Sequence, residues 1–461
     1  MPGDNEIPAT TADEDGGEGL SLSLSRRRLL GGAAAGSAAL LASSTQVGRA
    51  AAATTASKLP RVPAASGIDH IVVVTMENRS FDHYLGWVPG ADGPRAKQKY
   101  RDAANVAHPI WHLDSFTGDA FHDPNHSHVG GVAELNGGAC DGWLLAPNND
   151  IYSIGYYRDS DLDFYRGAAP YWTVCDRFFA SILGPTYPNR FYTHSAQTDR
   201  ITNTTAVATM PTIWDSLAGA GLDGRYYYSD LPFIALYGGK YASISHPIAD
   251  FFTDCGEGNL GDVTYIDPRF FSTPSGAQCD DHPHADIRLG QSFLNQIYEA
   301  VTTGPQWSNT LLIITYDEWG GFFDHVVPGM APDVVPENGQ RGFRIPTLLI
   351  GPRVRRHNVS HRTFDHTSIL KLIEWRFGLP ALTPRDAAAT NLAEALLFLR
   401  EPNLEAPQWD VPTAAELGVT VGAPTVSLAG FQPREAIPVS EHEAEWLGLA
   451  ALADHYGFWM P

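Results

Sequence analysis

The sequence is short of positive charge. Lys and Arg number 31 against 52 Asp and Glu, so the surface repels phosphate backbones and anionic lipid, which argues against nucleic acid as a partner. Cysteine is scarce: Cys140, Cys175, Cys255 and Cys279 are the four in 461 residues. None falls in a CxxC pair, so thiolate ligation of zinc is not expected. A long apolar run is missing too, because residues 29–41 are too short and too rich in Gly and Ala to cross a bilayer. No internal repeat occurs, and no low-complexity tract follows residue 52. Small anionic or zwitterionic substrates stay compatible with the acidic balance, since a metal can reverse the field inside a cleft.

What is present is globular. Hydrophobic residues make up 43% of the chain and aromatics 11%, enough for a large core in one big domain or two to three ordinary ones. Near the start, SRRRLLGGAAAGSAALLASS places Arg26, Arg27 and Arg28 before Leu29 and Leu30, and Ala50 to Ala52 offer a small-residue cleavage site. This looks like a twin-arginine export signal. The expected organisation is a signal over residues 1–52, a linker over 53–66, a catalytic domain over 67–400, and an extension over 401–461 packed on it. The expected destination is outside the cell or in its envelope. Export permits disulfides. Cys255 and Cys279 enclose a loop rich in Gly, Asp and Pro and are the expected pair, with Cys140 and Cys175 as a second possibility.

Residues 71–76, 309–316 and 345–350 read as strands buried on both faces. They alternate with helical patterns, at 211–221, at 285–303 and at 365–377, where Asp365 caps and Gly378 stops the turn. Strands apolar on both faces alternating with helices give an α/β fold with a mostly parallel central sheet flanked by helices. Residues 90–149 look like loops over a site, and 222–276 look irregular, with short strands such as 224–229.

Two buried strands end in acid. The first delivers Glu77 and Asn78; the second delivers Asp317 and Glu318. Ligands in such sheets sit at the carboxyl ends of the strands, and acids converging there need a cation between them. Glu, Asn and Asp supply the oxygen donors that hard divalent ions prefer; the alternative is that these acids cap helices or pair with Arg. In LGPTYPNR, Pro185 and Pro188 flank Thr186 and would stiffen a turn, holding the threonine in one pose. Such a threonine is either a plain turn residue or a nucleophile activated by a divalent ion. His126, His282, His325 and His366 each sit beside an acid or a turn, where they could ligate metal, bind phosphate or protonate a leaving group. His83, His128 and His284 read as satisfied surface or capping residues. Arg190 and Arg79 could clamp phosphate or balance the acids.

ENRSFDHYLG, GPTYPNR, DDHP and YDEWGGFFDHV, followed by HTSILKLIEWRFGL and LTPRDAA, resemble in that order the bacterial phosphoesterase family of phosphatidylcholine-type phospholipases C and acid phosphatases. The resemblance covers about residues 67–400. It implies an alkaline-phosphatase-like α/β fold, a divalent metal (Ca, Mg, Mn or Zn) and a covalent phospho-enzyme. Carried over, it makes Glu77, Asn78, Thr186, Asp317 and Glu318 the metal ligands, with Thr186 as nucleophile. His126 and His282 become phosphate or leaving-group residues, and Arg190, His325 and His366 supporting ones. The expected activity is phospholipase C, releasing diacylglycerol and a phosphorylated head group through phosphothreonine. Acid phosphatase at the same site is the alternative, and an exported binding protein without turnover is the non-enzymatic rival. The substrate would be a phospholipid or small phosphoester, with transient membrane contact.

Overall fold

The structure is a computed structural model that describes residues 59–271, 277–418 and 441–458. The expected export signal and residues 53–58 of the linker lie outside the described residues; within the rest of that linker, Pro63–Ser66 form a 3₁₀ turn.

An eight-stranded sheet organises the chain. Its strands are β1 (His70–Met76), β2 (Thr173–Cys175), β3 (Gly224–Tyr228), β4 (Ser245–Pro247), β5 (Val263–Asp267), β6 (Thr310–Tyr316), β7 (Leu348–Ile350) and β8 (Asn358–Ser360). Their spatial order is β8-β2-β7-β6-β1-β5-β3-β4. Every neighbouring pair is parallel except the two made by β7, which runs antiparallel to β6 and β2. The α/β class with a mostly parallel sheet is the one the sequence implies. Ile71 to Val74 and Leu311 to Ile314 are buried at the centre. β-Branched residues suit a pleated surface covered on both sides.

Around the sheet lie α1 (Phe81–Tyr84), α2 (His128–Leu135), α3 (Asp163–Tyr171), α4 (Thr186–Ser195), α5 (Ile213–Gly219), α6 (Ile248–Glu257), α7 (Ile287–Thr303), α8 (His366–Phe377) and α9 (Glu441–His455). α3 packs on α7, and α4 on α8. Helix α8 begins as its sequence says: the Asp365 carboxylate accepts the Thr367 N–H at 3.0 Å. It ends at Gly378, whose φ of 69° only glycine adopts without strain.

Three expectations change. Residues 186–195 form a helix rather than a stiff turn. Pro188 sits in its first turn, where the missing N–H has no intrahelical partner to lose. Residues 222–276, read as irregular with short strands such as 224–229, do hold a strand there, β3, but they also contain strand β5 and helix α6, which their weak local pattern does not announce. No disulfide forms: all four cysteines are free thiols. Cys255 is buried on α6, while the Cys279 sulfur accepts the Arg269 N–H at 3.4 Å.

Candidate active site

The site follows from strand register. β1 and β6 are adjacent and parallel, with Met76 opposite Tyr316. The residues that follow them, Glu77 and Asp317, must therefore emerge side by side, and the Asp317 N–H donates to the Met76 carbonyl at 3.0 Å. One Asp317 oxygen then accepts the N–H groups of Asn78 (3.1 Å) and Glu318 (2.7 Å). Asn78 holds a left-handed φ of 54°, the kind of backbone conformation that concentrates at functional sites. Across from it, a Cβ on Gly320 would lie 2.1 Å from the Asn78 carbonyl oxygen, so the WGG turn can close on the first strand end only with glycine there. The Glu77 N–H donates to the Asp280 carbonyl at 2.7 Å, tying the DDHP segment to the same place.

Thr186 is the first residue of α4 and is buried. Its hydroxyl donates to Glu77 Oε2 at 3.2 Å and lies 3.5 Å from Asn78 Oδ1. The Asn189 amide fixes the approach, donating to the Gly184 carbonyl at 2.7 Å and accepting the Ile182 N–H at 3.1 Å. One turn into α4, buried Arg190 meets three carboxylates: Glu77 at 2.8 Å, Asp267 at 2.8 Å and Asp317 at 3.3 Å. It also donates to the Thr75 carbonyl. With this set of partners, Arg190 balances acids.

One guanidinium does not neutralise this cluster. Burial pushes the Glu77 carboxyl well above the carboxylate range and neighbouring Asp317 adds to it, while Arg190 opposes. Burial does the same to Glu318, again with Asp317 next in importance and Glu77 contributing. Glu318 Oε1 is buried without a hydrogen-bond partner. Carboxylates crowded out of water, an orphaned oxygen, an amide oxygen and a hydroxyl are a donor set that fits a hard divalent cation.

The histidines divide by place. His126 Nε2 lies 3.5 Å from the Asn78 amide nitrogen, and its Nδ1 lies 2.8 Å from the Pro124 carbonyl. His282 stands beside it at 6.0 Å between ring centroids, with half-buried Asp123 between them. Asp123 is 3.9 Å from His126 and 3.5 Å from His282. Arg79 does not face this pocket: it is buried and holds the Asp281 and His282 carbonyls at 2.6 and 3.0 Å. His83 is buried, not a surface residue. Its Nδ1 lies 2.8 Å from the Gly155 carbonyl, and burial with neighbouring Arg79 drives its pKa well down. His366 is buried beneath the second strand end, its Nε2 2.9 Å from the Tyr316 carbonyl. His325 contacts Asp82 at 2.6 Å and Asp92 at 3.2 Å.

Among the described residues, two groups of acids and histidines are close enough to share a metal, Asp123–His126–His282 and Asp82–Asp324–His325. In the second, buried Arg344 already donates to Asp82 at 2.7 Å and to Asp324 at 2.9 Å. That group reads as a compensated ion network.

Sequence reading passed over Asp123 and Asp267. Asp123 had a signal, standing three residues before His126 in DPNH. Asp267 had the same signal as Glu77 and Asp317, an acid at the end of a buried run, but its strand went unrecognised. α9 lies in the expected extension. Its Glu445 carbonyl accepts the Tyr187 hydroxyl at 2.8 Å, and Trp446 stacks on Phe270 at 3.9 Å, with the Arg190 guanidinium 5.0 Å from the Phe270 ring.

The profile of the Phosphoesterase family matches residues 68–380. Non-specific phospholipase C6 of Arabidopsis thaliana is 30% identical over 438 residues, covering 85% of this chain and 82% of that protein. Phospholipase C B of Mycobacterium tuberculosis is 32% identical over 454 residues, covering 80% and 85%. Among solved structures, a protein in the alkaline phosphatase superfamily from Vibrio parahaemolyticus aligns with a TM-score of 0.32 at 12% identity, over 63% of this chain and 81% of that one.

Proposed function

Because the chain belongs to the phosphoesterase family, and so is a hydrolase of phosphoric esters, we propose that it is a metal-dependent phospholipase C acting on phosphatidylcholine-type phosphodiesters. The observation that carries this reading is the Thr186 hydroxyl, buried and within reach of both Glu77 and Asn78. The names of the relatives at 30 and 32% identity, both phospholipases C, support a phospholipid substrate.

Glu77, Asn78, Thr186, Asp317 and Glu318 would hold a divalent cation, which supplies a lowered hydroxyl pKa and counter-charge to the phosphoryl oxygens. Thr186 Oγ1 attacks phosphorus, its proton leaving toward Glu77. The bond from phosphorus to the glyceride oxygen breaks as the bond to Oγ1 forms, and His282 or His126 gives that oxygen a proton. Water, giving a proton to that histidine, then attacks phosphorus, and Oγ1 departs and takes its proton back from Glu77, releasing the phosphorylated head group. The amino end of α4 favours the negative charge gathering at its first residue. Arg190 stays with its carboxylates and keeps Glu77 and Asp317 aligned.

Thr186→Ala should abolish hydrolysis of p-nitrophenyl phosphorylcholine while circular dichroism and the melting temperature stay near those of the parent. Undiminished turnover by that variant overturns the mechanism. Acid phosphatase activity at the same residues is the second reading, and a rate comparison between a choline phosphodiester and a simple phosphomonoester decides between them. Export by the twin-arginine route belongs to the same proposal and rests on Arg26 to Leu30. So does the division into a catalytic domain at 67–400 and a packed extension, which the contacts of Glu445 and Trp446 support.

A further inference from the structure

Two surface elements carry their polarity inside out. In α2 the one acid, Glu134, is buried, accepting the Trp319 indole N–H at 2.7 Å and the Asn149 amide at 2.9 Å. The valines of the same helix face water, Val129 at 68% and Val132 at 50% exposure. The loop 326–339 repeats the arrangement. Asp333 is turned inward, to the Tyr192 hydroxyl at 2.7 Å and Arg385 at 3.1 Å. Val327, Met330 and Val334 are exposed, Met330 at 64%. Water gives no reason to bury the acid and expose the valine; an apolar partner does.

Both elements border the segment that delivers the nucleophile. His128 Nδ1 of α2 lies 2.5 Å from the Leu183 carbonyl. On the other side, the Gly342 N–H donates to the Ala180 carbonyl at 3.0 Å, and Asp333 holds Tyr192 of α4 itself. Residues 180–184, which run into Thr186, thus touch α2 at Leu183 and, at Ala180, Gly342 just past the loop, while the loop itself reaches α4 through Asp333.

We propose that α2 and the loop 326–339 form a docking surface for a zwitterionic phospholipid bilayer, seating the protein so that a lipid phosphodiester reaches Thr186. The inference rests on the phospholipase reading. Charge selects the kind of lipid. Neither element contains Lys or Arg, the outward charge of the loop is Glu337, and the chain carries a net −21. Anionic lipid is repelled, while a phosphatidylcholine interface accepts shallow insertion of Val and Met without a charge penalty.

The test compares the full chain with a variant carrying Val129→Gln, Val132→Gln, Met330→Gln and Val334→Gln, which leaves the field at the site unchanged. Leu399→Gln, at an exposed position outside both elements, serves as control. Sedimentation with phosphatidylcholine vesicles, hydrolysis of vesicle lipid and hydrolysis of soluble p-nitrophenyl phosphorylcholine are measured together. The expected result is a loss of about tenfold or more in vesicle binding and vesicle hydrolysis, roughly 1.4 kcal/mol, with soluble turnover and the control unchanged. Vesicle binding that survives the four substitutions overturns the inference. So does an equal fall on the soluble substrate, which would make these residues supports of the site. Concentration-dependent dimers of the parent that the substitutions abolish would overturn it in favour of self-association. If the parent turns over the soluble diester but ignores vesicles, this surface fails and the catalytic reading stands; if it cleaves neither, the catalytic reading fails.

Discussion

Arg190→Met tests whether the cluster is built around a missing positive charge. Methionine keeps most of the side-chain volume but removes the bonds to Glu77, Asp267, Asp317 and the Thr75 carbonyl. At 2.8 Å and an effective dielectric near 20, each close ion pair is worth about 6 kcal/mol before desolvation. Removing one partner of a buried network costs a net of about 3–5 kcal/mol, because the carboxylates left behind stay out of water. In chelator, the variant should therefore unfold about 3–5 kcal/mol more easily than the parent in urea. Adding Ca²⁺, Mg²⁺ or Mn²⁺ should stabilise both proteins and stabilise the variant more, since an extra uncompensated carboxylate charge binds a cation more tightly. Urea unfolding with and without each ion reads both effects. A variant as stable as the parent in chelator, or two proteins indifferent to every divalent ion, would refute the electrostatic argument.

Three other outcomes are expected. Burial pushes the Glu134 carboxyl up to about 8, so the folded state holds its proton through a range where the unfolded chain has lost it. The wild-type protein should then lose up to about 1.4 kcal/mol of stability per pH unit as pH rises toward that value. Glu134→Gln does not titrate, and its stability relative to the parent should climb over the same window in pH-dependent urea unfolding. Gly320→Ala places a methyl 2.1 Å from the Asn78 oxygen at a φ of 66°. It should cost about 2 kcal/mol or more and depress turnover, read by thermal unfolding and the soluble diester assay. Trp446→Ala, at a buried position stacked on Phe270, should destabilise by about 3 kcal/mol in urea unfolding if α9 is part of the folded unit.

Much of the site was legible because a buried strand announces itself locally. Four consecutive apolar β-branched residues before Glu77, and a similar run before Asp317, are patterns that a short window of sequence contains. The helices around Ile297 and Ile373 were readable in the same way, through their 3.6-residue period, and the second also through its caps. Thr186 could be named from its neighbours, but its place as the first residue of a helix could not, since Pro185 and Pro188 read locally as a turn. The expected disulfide failed because residue spacing says nothing of where a thiol packs.

The sequence by itself determined which chemical groups stand at the strand ends: hydrogen-bonding and burial rules act on near neighbours, and their traces lie along the chain. Only the tertiary structure decided that Met76 faces Tyr316, that Arg190 answers three acids from three strands, and that Glu134 and Asp333 turn inward while their valines face water. The strand pairing and the Arg190 ion pairs join residues at least 77 positions apart. Their energies depend on topology and on exclusion of water, which no local window records.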